Sequence, residues 1–207
     1  MKGELEKVQK GIKTDTIILK VICIFFGLIV LVRVGNIIEY AGRADSDFQV
    51  KLADTDTTNG TRNYYLFIAG EQYYSVDYNL YGRLDSEGNT NVKVNVIMEE
   101  IKGMLNCLII ECIFFVIYQM LWRIKAGDSP FGKKSVVSLR WAAVLSIMLA
   151  LVPTVVEEIS SVVMFQYVCF RSNSINFYIC SIGVVFGILS EIFRYGCTLQ
   201  EEMNQIA

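Results

Sequence analysis

Four stretches of the 207-residue chain are almost unbroken hydrocarbon, running approximately Ile17 to Ile38, Ile101 to Ile124, Leu139 to Ile159 and Ile175 to Phe193. Each can cross a hydrocarbon layer of about 30 Å, which takes roughly 20 residues of helix. With 53% hydrophobic residues, 19% charged residues and a mean hydropathy of +0.41, the chain carries more apolar surface than one water-soluble core can hide. The expected fold is all-α and transmembrane: a four-helix bundle with a small β-rich extracytoplasmic insert between helices one and two.

Net charge is only −2, but the signs are segregated. Lys2, Lys7, Lys10 and Lys13 precede the first window, and Arg123, Lys125, Lys133, Lys134 and Arg140 stand against the single acid Asp128 between the second and third. Between the third and fourth, Arg171 is the only base. Positive flanks resist translocation, so both termini are expected in the cytoplasm. The resulting plan is a cytoplasmic segment 1–16, helix one 17–38, exterior insert 39–100 and helix two 101–124. A cytoplasmic loop 125–138, helix three 139–159, exterior loop 160–174, helix four 175–193 and cytoplasmic tail 194–207 follow. The first window is too long for a signal-peptide core and has no small-residue cleavage site after it, so it is read as a retained helix. Lys20 and Arg33 near its ends read as snorkelling cations.

Past Tyr40 the composition turns to Asp, Thr, Asn and Gly over residues 41–63, which reads as a loop. Three stretches then alternate with the period of strands: NYYLFIA at 63–69, YYSVDYNLY at 73–81 and NVKVNVIM at 91–98, the first two joined through Gly-Glu-Gln. They predict an antiparallel meander. DTDTTNG at 54–60 approaches a calcium loop, but Asn59 replaces the required glycine and Tyr65 the closing glutamate, so no metal is assigned. From Tyr40 to Glu100 ten acids face five bases, a balance of −5, and six tyrosines gather beyond Tyr40 (Tyr64, Tyr65, Tyr73, Tyr74, Tyr78 and Tyr81). Such a segment suits an interfacial belt or a binding surface.

No histidine occurs, which removes the commonest general base and metal ligand. The six cysteines lie in or beside the apolar windows and read as packed thiols, with a Cys169–Cys180 bridge as the alternative. Neither H-E-x-x-H, G-x-S-x-G nor a phosphate loop is present. The expectation is therefore a protein with no catalytic residue, cofactor or metal, and nothing in the charge pattern points to direct nucleic-acid binding.

Inside the windows, Glu111 lies near the midplane, where a charge costs at least about 2.5 kcal/mol. It reads either as part of a proton or cation path or as a protonated carboxyl bonded across the bundle, with Arg33 a poorly matched partner. Ala142, Ser146 and Ala150 on helix three, and Gly183 and Gly187 on helix four, are spaced to let backbones approach closely. Packing within the chain is the reading adopted, with a homo-oligomer the alternative. Pro153 is expected to kink helix three, and Glu157, Glu158 and Glu191 read as interface residues.

The inner loop and tail carry motifs. GDSPF is followed by Leu139-Arg140, with Asp128 or Ser129 as cap and Pro130 in a first helical turn, and the chain closes on FRYGCTLQEEMNQI. In Gly127, Asp128, Pro130, Phe131, Leu139 and Arg140, and in Phe193, Arg194, Gly196, Leu199, Glu201, Glu202 and Ile206, the chain resembles a bacterial membrane family known as domain of unknown function two-nine-seven-five. It departs from that pattern at Asn204, where the family more often has Asp, and in the long exterior insert. The resemblance implies a four-helix protein of the cytoplasmic membrane, often encoded beside a small Cro-type regulator. Asp128 with Arg140, and Arg194 with Glu201 and Glu202, are expected to knit loop to tail or to form a docking patch. The overall expectation is a non-enzymatic regulatory, sensory or immunity-type interaction protein, working with a cytoplasmic regulator or a membrane partner in the lipid bilayer. A transporter or channel component using Glu111, and an intramembrane enzyme, are the alternatives.

Overall fold

The structure, a computed structural model, describes residues 2–52, 64–76, 91–165 and 175–206. Four long helices dominate it: α1 (Lys2–Gly42), α2 (Val92–Lys125), α3 (Lys133–Phe165) and α4 (Phe177–Ile206). Each contains a stretch long and apolar enough to cross a membrane, from Lys10–Gly42, Val92–Lys125, Lys133–Ile159 and Phe177–Gln205. All four outrun their apolar windows, because the flanks are built from Lys, Glu and Gln, which extend a helix as readily as Leu does. The predicted tail is thus the last turns of α4, and α3 starts six residues before Leu139. On α1, Ile17, Val21, Ile24, Leu28 and Leu31 recur every three or four residues and are each more than half exposed, an outward stripe of hydrocarbon.

The chain divides into two compact units. The first draws on Met1–Leu31, Leu105–Thr154 and Ser172–Ala207. Its most enclosed helix is α3, with 44% of its apolar window buried against none for α1. The buried stripe of α3 is small and partly polar: Ser135, Ser138, Leu139, Ala142, Ser146 and Ala150. Ser146 hides its hydroxyl by donating it to the Ala142 carbonyl at 2.8 Å. Pro153 removes a backbone donor without ending the helix.

The second unit draws on Val32–Met104 and Val155–Arg171 and holds a three-stranded antiparallel sheet, β1 (Phe48–Leu52), β2 (Tyr64–Ile68) and β3 (Glu71–Val76), in the order β1-β2-β3. Ala69 and Gly70, at φ 52° and 86°, form the two-residue turn between β2 and β3, where the twist of a hairpin demands positive φ. This corrects the sequence reading in two places. The strand predicted over 91–98 is the start of α2, capped where the Asn91 side chain accepts a bond from the Val94 amide at 3.1 Å. Its place in the sheet is taken by β1, inside the stretch read as loop, where Phe48, Val50 and Leu52 alternate with Gln49 and Lys51. The calcium-like stretch at 54–60 and the strand residues 77–81 lie outside the described residues.

Phe48 pairs with Ile68 and Val50 with Leu66, so one sheet face is apolar. Its core is finished by Tyr40 from α1 and Val96 from α2, with Phe48, Leu66, Ile68 and Val96 all at most 5% exposed. Lys93 ties the same corner, donating to the Arg43 carbonyl at 2.8 Å and pairing with Asp45 at 3.1 Å. On the opposite face Lys51 stands over the Phe67 ring, 5.2 Å from its centroid.

Candidate functional site

The site is built from the turn between α2 and α3 and from the last turns of α4. Gly127 ends α2. With φ at 106° it adopts a conformation that L side chains resist, while the Asp128 amide bonds to the Arg123 carbonyl and the Gly127 amide to that of Ile124. These are the paired bonds of a Schellman cap, which satisfy carbonyls that a helix end would leave bare. Ser129–Gly132 then close a turn, the Gly132 amide bonding to the Ser129 carbonyl at 3.1 Å. Pro130 therefore sits in this turn and not in the first turn of α3, which begins at Lys133.

The turn delivers Phe131 onto α4. Its ring lies 5.1 Å from that of Phe193, and a Cβ on Gly196 would come within 2.6 Å of the Phe131 Cδ1 atom. Since α4 continues as a helix, Phe193, Gly196, Cys197 and Gln200 share one face. The buried Cys197 thiol donates to the Phe131 carbonyl, and Ser129 and Gln200 share a hydrogen bond of 2.8 Å. The aromatic of one motif is thus seated on the glycine of the other.

Ion pairs surround this seat, with partners other than those expected. Arg140 pairs with Glu191 at 2.9 Å, and Arg194 reaches the other oxygen of the same carboxylate at 2.7 Å. Glu201 pairs with Lys133 at 3.0 Å, and Asp128 with Lys134 at 3.7 Å. Glu202 has no ion pair among the described residues. Leu139 is buried within the α3 stripe, whereas Leu199, Tyr195 and Met203 lie exposed along the outer side of α4. Sequence reasoning missed Glu191 as the hub of this network, together with Ser129, Lys133, Cys197 and Gln200. The signal available was the four-residue spacing of Phe193, Cys197 and Glu201, legible only once the tail is taken as helix.

Glu111 lies elsewhere in the same unit, on the seam between α1 and α2. A Cβ on Gly27 would stand 3.3 Å from Glu111 Oε1, and next to it the rings of Phe26 and Phe114 stack at 5.9 Å. Glu111 has no hydrogen-bond or ion-pair partner among the described residues. The Arg33 guanidinium is taken by Glu100 at 2.9 Å and rests on Gly103, where a Cβ would come within 2.9 Å of it, so Arg33 bridges two helices and does not snorkel alone. Glu158 also departs from a solvated interface role, having a buried carboxylate oxygen with no partner among the described residues.

Of the small-residue positions, Ala142, Ser146 and Ala150 are at most 2% exposed. Gly183 lies against α3, a Cβ there coming 2.9 Å from Ile147 Cγ1 and 3.0 Å from the Ala143 carbonyl oxygen, while Gly187 meets nothing within 4 Å. Cys180 carries a free thiol, and Cys169 lies outside the described residues. Among the described residues no three His, Cys, Asp or Glu side chains are grouped to hold a metal.

No family model, no curated protein and no solved structure matches the chain.

Proposed function

We propose that the chain is a non-enzymatic regulatory, sensory or immunity-type interaction protein that spans a bacterial cytoplasmic membrane four times with both termini inside. The observation that carries this reading is the shared core of the sheet. Tyr40 and Val96 belong to two membrane-length helices, yet they pack among Phe48, Leu66 and Ile68. A ligand or partner that shifts the sheet must therefore shift the ends of α1 and α2, because a close-packed core transmits displacement instead of absorbing it. Tyr73 and Tyr74, 45% and 47% exposed, are surfaces for such a partner outside the cell. On the inner side, Tyr195, Leu199 and Met203 offer an i, i+4, i+8 apolar row to a cytoplasmic regulator or membrane partner.

Photo-crosslinking residues placed at Tyr74 and at Leu199 in native membranes test it. Each position is expected to capture a protein, and an absence of adducts at both would remove the interaction reading.

A second reading rests on Glu111, a carboxyl with no bonding partner among the described residues, set against Gly27 on a helix seam. It would serve a proton or cation path. Proteoliposome flux that disappears with Glu111→Gln while the fold persists would move the chain to the transporter class.

A further inference from the structure

Beside the Gly127 turn, α2 and α3 flank an open, shallow cleft of about 420 Å³ whose lining divides into two chemistries. Arg123, Lys133 and Lys134 are cationic, with Gln119 and Ser138 between them, while Val116, Val137 and Trp141 are apolar. The volume is in the range of small-molecule sites. We infer that this cleft binds an anionic glycerophospholipid, its phosphodiester held by Arg123, Lys133 and Lys134 and the head of an acyl chain laid along Val137 and Trp141.

Charge argues first. The Arg123 guanidinium donates to the neutral Gln119 side chain at 3.0 Å and has no carboxylate partner among the described residues, so its charge is unmatched. Lys133 and Lys134 do have acids, Glu201 and Asp128, but their side chains are 83% and 75% exposed. Pairs so open to water are weak, and each ammonium retains donors for a second anion. The N-terminus of α3 adds the positive end of its dipole beside Lys133.

The apolar half identifies the source of the phosphate. Trp141 is 57% exposed and Val137 51% exposed, beside three cations. A soluble phosphate would leave that hydrocarbon bare, whereas a lipid covers both halves at once. A basic pocket between membrane helices, with an indole at its lip, is the arrangement that holds anionic headgroups. The inference rests on the membrane reading above, which places this turn at a headgroup layer.

The test uses the full chain with Trp122→Phe, leaving Trp141 as the only tryptophan, in nanodiscs of phosphatidylcholine. Brominated phosphatidylglycerol is expected to quench Trp141 at a several-fold lower mole fraction than brominated phosphatidylcholine. Each of Arg123→Gln, Lys133→Gln and Lys134→Gln should weaken that preference about fivefold. Equal quenching by the two lipids, a preference that survives the triple variant, or relief of quenching by millimolar inorganic phosphate would each overturn the site. A Trp122→Phe, Trp141→Phe chain carrying Leu28→Trp separates the premise. Quenching of that indole by brominated phosphatidylcholine, without selectivity at Trp141, ends the lipid site and leaves the membrane reading standing. No quenching at Leu28→Trp ends both.

Discussion

Two glycines govern how the loop and tail motifs meet, each for a different reason. Gly127 is required for its backbone, because left-handed φ costs an L residue about 1 to 2 kcal/mol. Gly127→Ala is expected to lower stability by that amount, measured by reversible unfolding in micelles. Gly196 is required for its lack of a side chain, since any Cβ would strike the Phe131 ring. Gly196→Ala should therefore unseat the turn, and Phe131→Leu should be milder in that background than in the native chain. A double-mutant cycle on the two positions is expected to give a coupling of about 0.5 to 3 kcal/mol. A coupling of zero would deny that the motifs bear on each other. The sequence singles out both glycines and Phe131 without showing why they belong together. Their relation depends on α4 running on past Phe193, and composition alone reads those polar residues as tail.

At the scale of elements, the helices were legible and the sheet only half so. Apolar length alone implies α1 to α4, while their polar ends escape a hydropathy window. Val92, Val94 and Val96 satisfy a strand's alternation, but Val92 and Val96 also stand one helical turn apart, and the Asn91 cap together with burial of Val96 decides for helix. β1 was hidden because five alternating residues lie among Asp, Thr and Gly. Leu66, wholly buried at the centre of the shared core, offers the test of this architecture. Leu66→Ala is expected to cost about 2 to 5 kcal/mol. Hydrogen exchange should show the sheet and the adjoining turns of α1 and α2 losing protection together, while α4 keeps its own. Loss confined to the strands would mean the helices do not belong to that core.

For the whole molecule, the segregation of positive charge and the outward hydrocarbon on α1 make one topology the natural one. In a chain cleared of native cysteines, Tyr74→Cys should react with an impermeant maleimide on intact cells, and Lys133→Cys only after the membrane is opened. Labelling of both on intact cells would refute the inside–outside assignment. Alkaline carbonate should leave the protein in the membrane pellet. Lysine and arginine placement yields the orientation that this labelling tests, whereas the partners of the ionised groups were not readable from the sequence. Glu191 gathers Arg194 from its own helix, a pair that i, i+3 spacing announces, and Arg140 from α3, which no rule of spacing announces.

The borrowed residues in the sheet's core also impose an order on biosynthesis. The strands emerge from the ribosome before Val96 has been translated, so they must wait, unfinished, until the start of α2 has been made. An excised fragment of residues 43–91 is accordingly expected to remain unfolded in solution, and chaperones would have a window on the nascent chain that closes only when α2 arrives.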